Sequence, residues 1–427
     1  MASESEAVNS GQDAEHVLIV GGGVIGAASA YYLAKAGRRV TIIERGEFGK
    51  QCSHGNCGYI SPSHVPPLCR PGALSMAIKS MFNPDSPFRV KPSLNGALIS
   101  WLWKFMRRCN HADMMTGSAA RHALLQSSMS LYHQLIDDGE LANCEWKEQG
   151  LLFVFETEHE RAHFASLQKL VENEFGVAAS WYDGQQLVEL EPALKPGLTG
   201  AFHYEGDTHL RPDRLVAAWK HRLAETGVEV IEQCSLESFA KENGQARAVK
   251  TSQGEMAADA FVVATGAWSP FWNEALGCKL PIQPGKGLSM TMPRPEICPK
   301  IPMLLEEVRV GVTPFDSGYR LGSTMEFTGY DENINRRRLG LLSKGASRYL
   351  RDPVCNPVEE EWCGFRPMSC DGAPIIDWSP AMSNVMMAAG HSMLGVSMSP
   401  ATGKLVSEML TGAEPHINPD AYRVSRF

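Results

Sequence analysis

The strand-like run His16-Val17-Leu18-Ile19-Val20 leads straight into Gly21-Gly22-Gly23-Val24-Ile25-Gly26. An Ala-rich helical pattern then passes through Tyr31, Tyr32 and Leu33 to Gly37, which has the residue type of a helix C-cap. A second apolar run, Val40-Thr41-Ile42-Ile43, ends at Glu44 and completes a strand, helix, strand unit of about thirty residues. Cys52 to Ser63 is a loop rich in Gly, Ser and Asn, and residues 66–146 read as loops and helices. Runs at Gly150 to Glu156, Gly200 to Tyr204, Lys286 to Met292, Val308 to Pro314 and Tyr319 to Thr324 predict an antiparallel sheet away from the first unit. Pro212 to Gly227 predicts a helix, Glu229 to Ile231 and Phe261 to Ala264 predict strands, and Thr402 to Leu410 predicts the last helix. No internal repeat or low-complexity tract interrupts this order.

Size and composition add bounds. A chain of 427 residues with 44% hydrophobic content buries two sizeable cores. A formal net charge of −8, with no long run of Lys or Arg, argues against nucleic acid and leaves a small molecule as the default partner. The 11 cysteines, Cys52 with Cys57 and Cys355 with Cys363 and Cys370 included, match no zinc pattern. They read as reduced thiols of a cytosolic protein, and no metal is expected. Residues 1–15 lack the basic and apolar regions of a secretory signal and read as a disordered tail. No stretch reaches the ~18 uninterrupted apolar residues of a membrane span, so any membrane contact is peripheral. Ala97 to Arg108 mixes Trp101 and Trp103 with Lys104, Arg107 and Arg108. The preferred reading packs its aromatics inward with the cations in water, and the alternative lays the helix on a membrane surface.

The glycines of Gly21-x-Gly23-x-x-Gly26 have separate physical roles: a tight turn, close approach of a pyrophosphate, and close helix–strand packing. A diphosphate there meets the free N–H groups of Val24 and Ile25 and the positive end of the helix dipole. Glu44, followed by Arg45, stands where a carboxylate accepts hydrogen bonds from an adenosine ribose. Strand, helix, strand and acid in register outweigh the plainer reading of a glycine-dependent turn. The motif alone leaves NAD and FAD open.

Other stretches carry a resemblance. Val262-Val263-Ala264-Thr265-Gly266-Ala267-Trp268, Gly364-Phe365-Arg366-Pro367, Asp371-Gly372-Ala373-Pro374, Gly390-His391-Ser392-Met393-Leu394-Gly395 and Pro400-Ala401-Thr402-Gly403 resemble, in this chain order, segments of FAD-dependent amino-acid oxidoreductases. The chain resembles the D-amino-acid oxidase, glycine oxidase and sarcosine oxidase superfamily. Within it, Ser53-His54-Gly55-Asn56-Cys57-Gly58-Tyr59-Ile60-Ser61-Pro62 and the C-terminal Ala421 to Phe427 are most similar to the bacterial D-amino-acid dehydrogenases. The resemblance implies an α/β fold with a Rossmann-type FAD-binding domain, discontinuous in sequence (16–61, 209–275 and 358–427). A substrate domain on a mainly antiparallel sheet with helices takes 62–208 and 276–357.

Cofactor contacts are then expected from Gly21, Gly23, Val24, Ile25, Gly26, Glu44, Arg45, Ser53, Asn56, Gly58, Thr265, Gly266, Trp268, Gly390, Gly395 and Val396. The Pro-Ala-x-Gly segment is expected as a turn before a helix, and a helix starting near Gly395 would aim its positive end at the reduced flavin. FAD is expected to bind non-covalently, with His54 a polar contact and not an attachment point. Cys57 reads as a small buried thiol.

Arg366 is the expected reader of a substrate carboxylate, since a guanidinium fork fixes both position and rotation. The plainer alternative pairs it with Asp371 or Asp377. His391 and Met393 complete the catalytic candidates, His391 reading as a structural or flavin-adjacent residue. Met393 stands where glycine oxidases carry a second arginine, which weakens glycine as substrate and suggests room for a larger side chain. The expected reaction is oxidative deamination of a D-amino acid by hydride transfer to flavin N5, with electrons passed to a quinone or another carrier. The nearest rival is an oxygen-using oxidase of glycine, sarcosine or a cyclic imino acid. More distant readings are an NAD-dependent Rossmann enzyme and a flavin-binding regulatory subunit. The expected setting is the cytoplasm, with peripheral contact at the inner face of the membrane as the alternative.

Overall fold

A computed structural model describes residues 15–73, 75, 85–91 and 95–427. Residues 1–14 of the expected tail lie outside the described residues. Glu15 is tied to Arg38 by an ion pair of 2.6 Å, and its carbonyl accepts the Arg39 N–H.

Two sheets organise the chain. The first has six strands in the order Ile375–Ser379, Met382–Ala389, Ala260–Val263, His16–Val20, Arg39–Ile43, Glu229–Ile231. All but the first of these run parallel. His16–Val20 is paired on both edges and buried throughout, which is why it reads as a continuous strand-like run and not as an alternation. The helix Val24–Lys35 follows it and stops two residues short of Gly37, whose φ of +80° makes the turn.

The second sheet has nine strands. Eight lie in the order Glu360–Ser369, Ile282–Met292, Gly318–Phe327, Val310–Phe315, Met303–Leu305, Leu151–Phe155, Gly200–Tyr204, Ser180–Asp183, and Phe88–Val90 lies beside the end of Gly318–Phe327. The five strands expected from runs between turn residues are all here. The sheet is not wholly antiparallel: Met303–Leu305 runs parallel to Leu151–Phe155, and Phe88–Val90 parallel to Met325–Phe327. Residues 66–146 therefore contain a strand besides their helices Gly96–Arg107 and His111–Asp137. The ten-residue strand Glu360–Ser369 runs through the Gly-x-Arg-Pro segment and was not anticipated.

The expectation for the helix at 97–108 holds only in part. Trp101 is buried with its Nε1 donating to Met368 O (2.9 Å), whereas Trp103 is 57% and Ile99 52% exposed. No helix among the described residues is long and apolar enough to cross a membrane.

The last helix runs Gly395–Thr411, so Pro400 to Gly403 lies inside it and is not a turn before it. A proline there removes the N–H that would bind Val396 O one turn earlier. Two hydroxyls supply the missing donors: Tyr132 donates to Val396 O at 2.8 Å and Ser399 at 3.0 Å. The Ala401 N–H finds Ser128 Oγ at 3.1 Å. Helix His111–Asp137 thus completes a helix that its own sequence would break. Gly403 then lets this helix meet Val24–Lys35, since a Cβ there would overlap the Ala28 backbone. Tyr132→Phe should cost about 1 kcal/mol in a urea titration followed by circular dichroism, and an unchanged midpoint would mean that Ser399 suffices alone.

Candidate active site

The three motif glycines are not equivalent. A Cβ on Gly21 would lie 2.5 Å from Ala264 O, and one on Gly26 would overlap Gly21 O, so packing alone demands these two. Gly23 has only Ser53 Oγ nearby, at 3.4 Å. Internal packing therefore does not require a glycine at 23, but close approach of a ligand to the backbone does. No side chain caps the helix at Gly23, though Ser53 Oγ accepts the Val24 N–H at 3.2 Å. Glu44, 8% exposed, accepts Gly22 N–H on Oε2 (2.8 Å) and Gly46 N–H on Oε1 (3.0 Å). Each oxygen keeps a lone pair for a ribose hydroxyl. Arg45 stacks on Trp268 with its guanidinium carbon 3.7 Å from the ring centroid. Trp268 follows Thr265 and Gly266 (φ +54°) on the turn after Ala260–Val263, and Phe365 meets its ring edge-on. These residues fit a dinucleotide.

Across from this cradle, one face of the nine-stranded sheet presents a run of small or polar residues. On Ile282–Met292 these are Gly285, Gly287, Ser289 and Thr291, which register with Arg366, Gly364, Trp362 and Glu360 on the neighbouring strand. Arg366 leans over Gly287, where a Cβ would collide with its guanidinium. Its Nη1 donates to Thr324 O at 2.7 Å. Thr324 sits in a β-bulge with φ +60°, next to Ser323 at +144°, where the register against Ile282–Met292 slips between Lys286 and Leu288. A β-branched residue in that region is strained, and bulges beside active sites commonly re-aim a group. Here the bulge aims a carbonyl at Arg366.

No carboxylate pairs with Arg366 among the described residues. Asp371 is taken by Arg426 (2.7 Å) and Asp377 by the N–H groups of Trp378 and Val424, which removes the salt-bridge alternative. Burial holds the Arg366 pKa below its ordinary value, with the Cys52 and Cys57 thiols opposing the shift. The fork is left with donors for a ligand carboxylate.

The Gly-His turn is bent by Gly390 (φ +80°) and Ser392 (φ +54°) and enters the last helix at Gly395, again without a side-chain cap. Ser397 Oγ binds this end to the cofactor loop, donating to Tyr59 O (2.8 Å) and accepting the Ser61 N–H (3.3 Å). His391 is 2% exposed, its Nε2 lies 3.0 Å from Thr402 Oγ1, and burial pulls its pKa down to about 3. It props the turn as a neutral ring. Met393 is 41% exposed and lines, with Leu68, Phe105 and Met368, a crevice of about 10 Å³, room for one water. Arg366 is not among the lining residues. His54 Nε2 is engaged by Glu360 Oε1 at 2.7 Å. Asn56 braces its own loop, with Nδ2 donating to Ser53 O (2.9 Å) and Oδ1 accepting the Gly58 N–H (2.8 Å).

Sequence reasoning passed over Ser289, Arg320, Thr324, Glu360 and Trp362. The alternation of small residues at 285, 287, 289 and 291 was a usable signal, because a strand face stripped of bulk implies something packed closely upon it.

The fold and the cradle together define a dinucleotide-binding protein built on a mainly parallel nucleotide sheet and a separate mixed sheet. The family model of FAD dependent oxidoreductases (DAO) matches residues 16–409, so the chain belongs to that family. It is 30% identical over 421 residues to a D-amino acid dehydrogenase of Granulibacter bethesdensis, covering 96% of this chain and 99% of the relative. A D-amino acid dehydrogenase of Chromohalobacter salexigens is 31% identical over 424 residues, with coverage of 96% and 99%. Among solved structures, a glycine oxidase from Geobacillus kaustophilus superposes with a TM-score of 0.78 at 23% identity, covering 97% and 99% of the two chains. An L-proline dehydrogenase from P. horikoshii superposes with a TM-score of 0.72 at 20% identity, covering 97% and 98%. At those identities the structural likeness speaks to the fold.

Buried titratable groups around the site make stability depend on pH. Burial lowers His64 and His391 to about 3 and His209 to about 4, from 6.5, and raises Asp207 to about 7. The histidines stay neutral in the folded protein while the unfolded chain protonates below 6.5, so their contribution is present above that pH and lost as pH falls. Asp207 and the buried Glu306, with folded pKa values raised, act in the opposite direction, and the histidines, joined by His16 and His122, outnumber these two carboxyls. Urea unfolding should therefore give lower stability at about pH 5 than at about pH 7.5, and His391→Gln should narrow the difference. An unchanged difference would place His391 outside this linkage.

Proposed function

We propose that the protein oxidises a D-amino acid to its 2-oxo acid and ammonia, with FAD held non-covalently and electrons delivered to an acceptor other than oxygen. The observation that carries this reading is Arg366: a guanidinium with one N–H anchored on Thr324 O, no acid partner among the described residues, and small residues around it. The relatives named D-amino acid dehydrogenase, matched over nearly their whole length, support the enantiomer and the class of acceptor.

FAD supplies the two-electron acceptor for such a reaction. The protein's part is binding and orientation. Arg366 takes the substrate carboxylate in two parallel hydrogen bonds and so fixes the face that the α-carbon presents. The uncapped starts of the helices at Val24 and Gly395 favour negative charge on the diphosphate and on the reduced ring. Loss of two electrons and two protons from the amine leaves an imine, and water then gives the 2-oxo acid and ammonia. No side chain is assigned as a general base, since a neutral amine needs none. His54 is engaged by Glu360, which supports a polar role over covalent attachment. Met393 in place of a second cation favours substrates whose side chain is larger than hydrogen. Ile99 and Trp103 form an exposed apolar strip beside Lys104 and Arg107, a surface that suits a membrane carrying a quinone.

Anaerobic mixing of the holoprotein with D-, L- and N-methyl amino acids should bleach the flavin's visible band with D-amino acids only. Bleaching by sarcosine or proline in preference to these would favour the oxidase of the same fold, as would rapid reoxidation by oxygen in stopped flow. Arg366→Met should lower kcat/KM about a hundredfold or more while the protein still takes up FAD. Near-normal turnover in this variant would remove Arg366 from substrate binding.

A further inference from the structure

A half-buried loop must satisfy its peptide groups, and within Ser53 to Gly58 the carbonyls of residues 54–57 are held by the nine-stranded sheet. Arg320 Nη1 donates to His54 O (3.3 Å) and Asn56 O (2.9 Å). Ser289 Oγ donates to Gly55 O and Thr313 Oγ1 to Cys57 O, both at 2.7 Å. The three donor residues stand on three adjacent strands. In a trans peptide the C=O and the N–H that follows it point in opposite directions. Holding the carbonyls of His54, Gly55 and Asn56 against the sheet therefore turns the N–H groups of Gly55, Asn56 and Cys57 away from it. None of these three donates to an acceptor among the described residues. The next N–H in the row, that of Gly58, is taken by Asn56 Oδ1.

Arg320 is fully buried, and its third short bond is from Nε to Thr291 Oγ1 at 2.9 Å. Its ion pairs are long, 3.6 Å from Nη2 to Asp213 Oδ1 and to Glu360 Oε2. Both acids have nearer partners, Arg211 at 3.1 Å and His54 at 2.7 Å. Short hydrogen bonds thus direct the cation to the loop and to Thr291, not to either acid.

We propose that Arg320 is a positioning residue of the cofactor site: by gripping two carbonyls of the Ser53–Gly58 loop it aims the row of free N–H groups at the electron-rich edge of the flavin ring. This rests on the reading that FAD occupies the cradle, and the two fail differently. Wild-type protein that takes up no FAD would sink that reading, whereas the role of Arg320 is judged on the difference between variant and wild type.

The test compares wild-type holoprotein with Arg320→Met, which keeps the bulk and removes the donors, and Arg320→Lys, which keeps the charge and loses the fork. Arg320→Met should weaken FAD binding about tenfold, shift the flavin absorption bands and move its midpoint potential, with Arg320→Lys restoring part of each. A folded Arg320→Met protein that binds FAD within about twofold of wild type, with a superimposable spectrum, overturns the proposal. If Arg320→Met does not fold, Ser289→Ala and Thr313→Val each free one carbonyl of the same loop. A spectral change in either supports the mechanism by which Arg320 acts, and unchanged spectra in both overturn it.

Discussion

Peptide carbonyls that cannot reach water must find donors inside the protein, and in this fold that requirement joins the two sheets. The loop Ser53–Gly58 has six consecutive carbonyls with internal partners: Asn56 Nδ2, Arg320 (twice), Ser289, Thr313 and the Leu210 N–H. At one end, Ser53 Oγ accepts a hydrogen bond from the first turn of the helix that starts at Val24. The bonded residues along the loop reach across the sheet that carries Arg366. Each such hydrogen bond contributes only about 1 kcal/mol net, but a carbonyl left unmet at this depth carries its full desolvation cost. The loop is therefore held as a unit, and it sets how far the nucleotide cradle stands from the sheet face that carries Arg366.

That close approach dictates composition on the sheet side. Trp362 lies against Gly55 and Gly364, Cys57 Sγ against Gly311 and Gly322, and the Arg366 guanidinium against Gly287. Glycine weakens a strand interior, so its concentration on one face of Ile282–Met292, Gly318–Phe327 and Val310–Phe315 is a cost borne for proximity. The strands stay intact because each has neighbours on both sides, including the ten-residue pairing of Ile282–Met292 with Glu360–Ser369. Paired edges let the middle of the sheet give up side-chain bulk.

Much of this was legible in the sequence, and the limits have physical causes. The nucleotide unit could be read because its signals are local: a strand, three glycines, a helix and a terminal acid follow within one short stretch, and the structure keeps that register to within two residues at the helix end. The strands Gly200–Tyr204 and Glu229–Ile231 were bounded correctly because turn residues flank them. Glu360–Ser369 escaped notice because Gly364 and Pro367 interrupt its run, and the pairing that stabilises it comes from a strand roughly eighty residues upstream. The apolar pattern started the last helix at Thr402, past Pro400, for a similar reason, since one of the two hydroxyls that compensate for the proline belongs to the distant Tyr132. Arg320 gave no sign at all. Its role depends on which carbonyls a distant loop turns toward it, and residue type does not encode that.

If Arg366 reads the substrate carboxylate as proposed, the bulge at Thr324 bears on substrate geometry as well as on packing. A left-handed, β-branched residue costs on the order of 1–3 kcal/mol, and the strain here brings Thr324 O to Arg366 Nη1. An unanchored guanidinium could swing and accept a carboxylate in several planes. With one nitrogen anchored and its face against Gly287, the fork has a restricted set of orientations, and a bidentate carboxylate must adopt its plane. Under the proposed function, orientation of the substrate carboxylate falls to this anchored fork. On that reading the strain at Thr324 serves the rigidity of a single cation, because the carbonyl it aims holds one nitrogen of the fork in place.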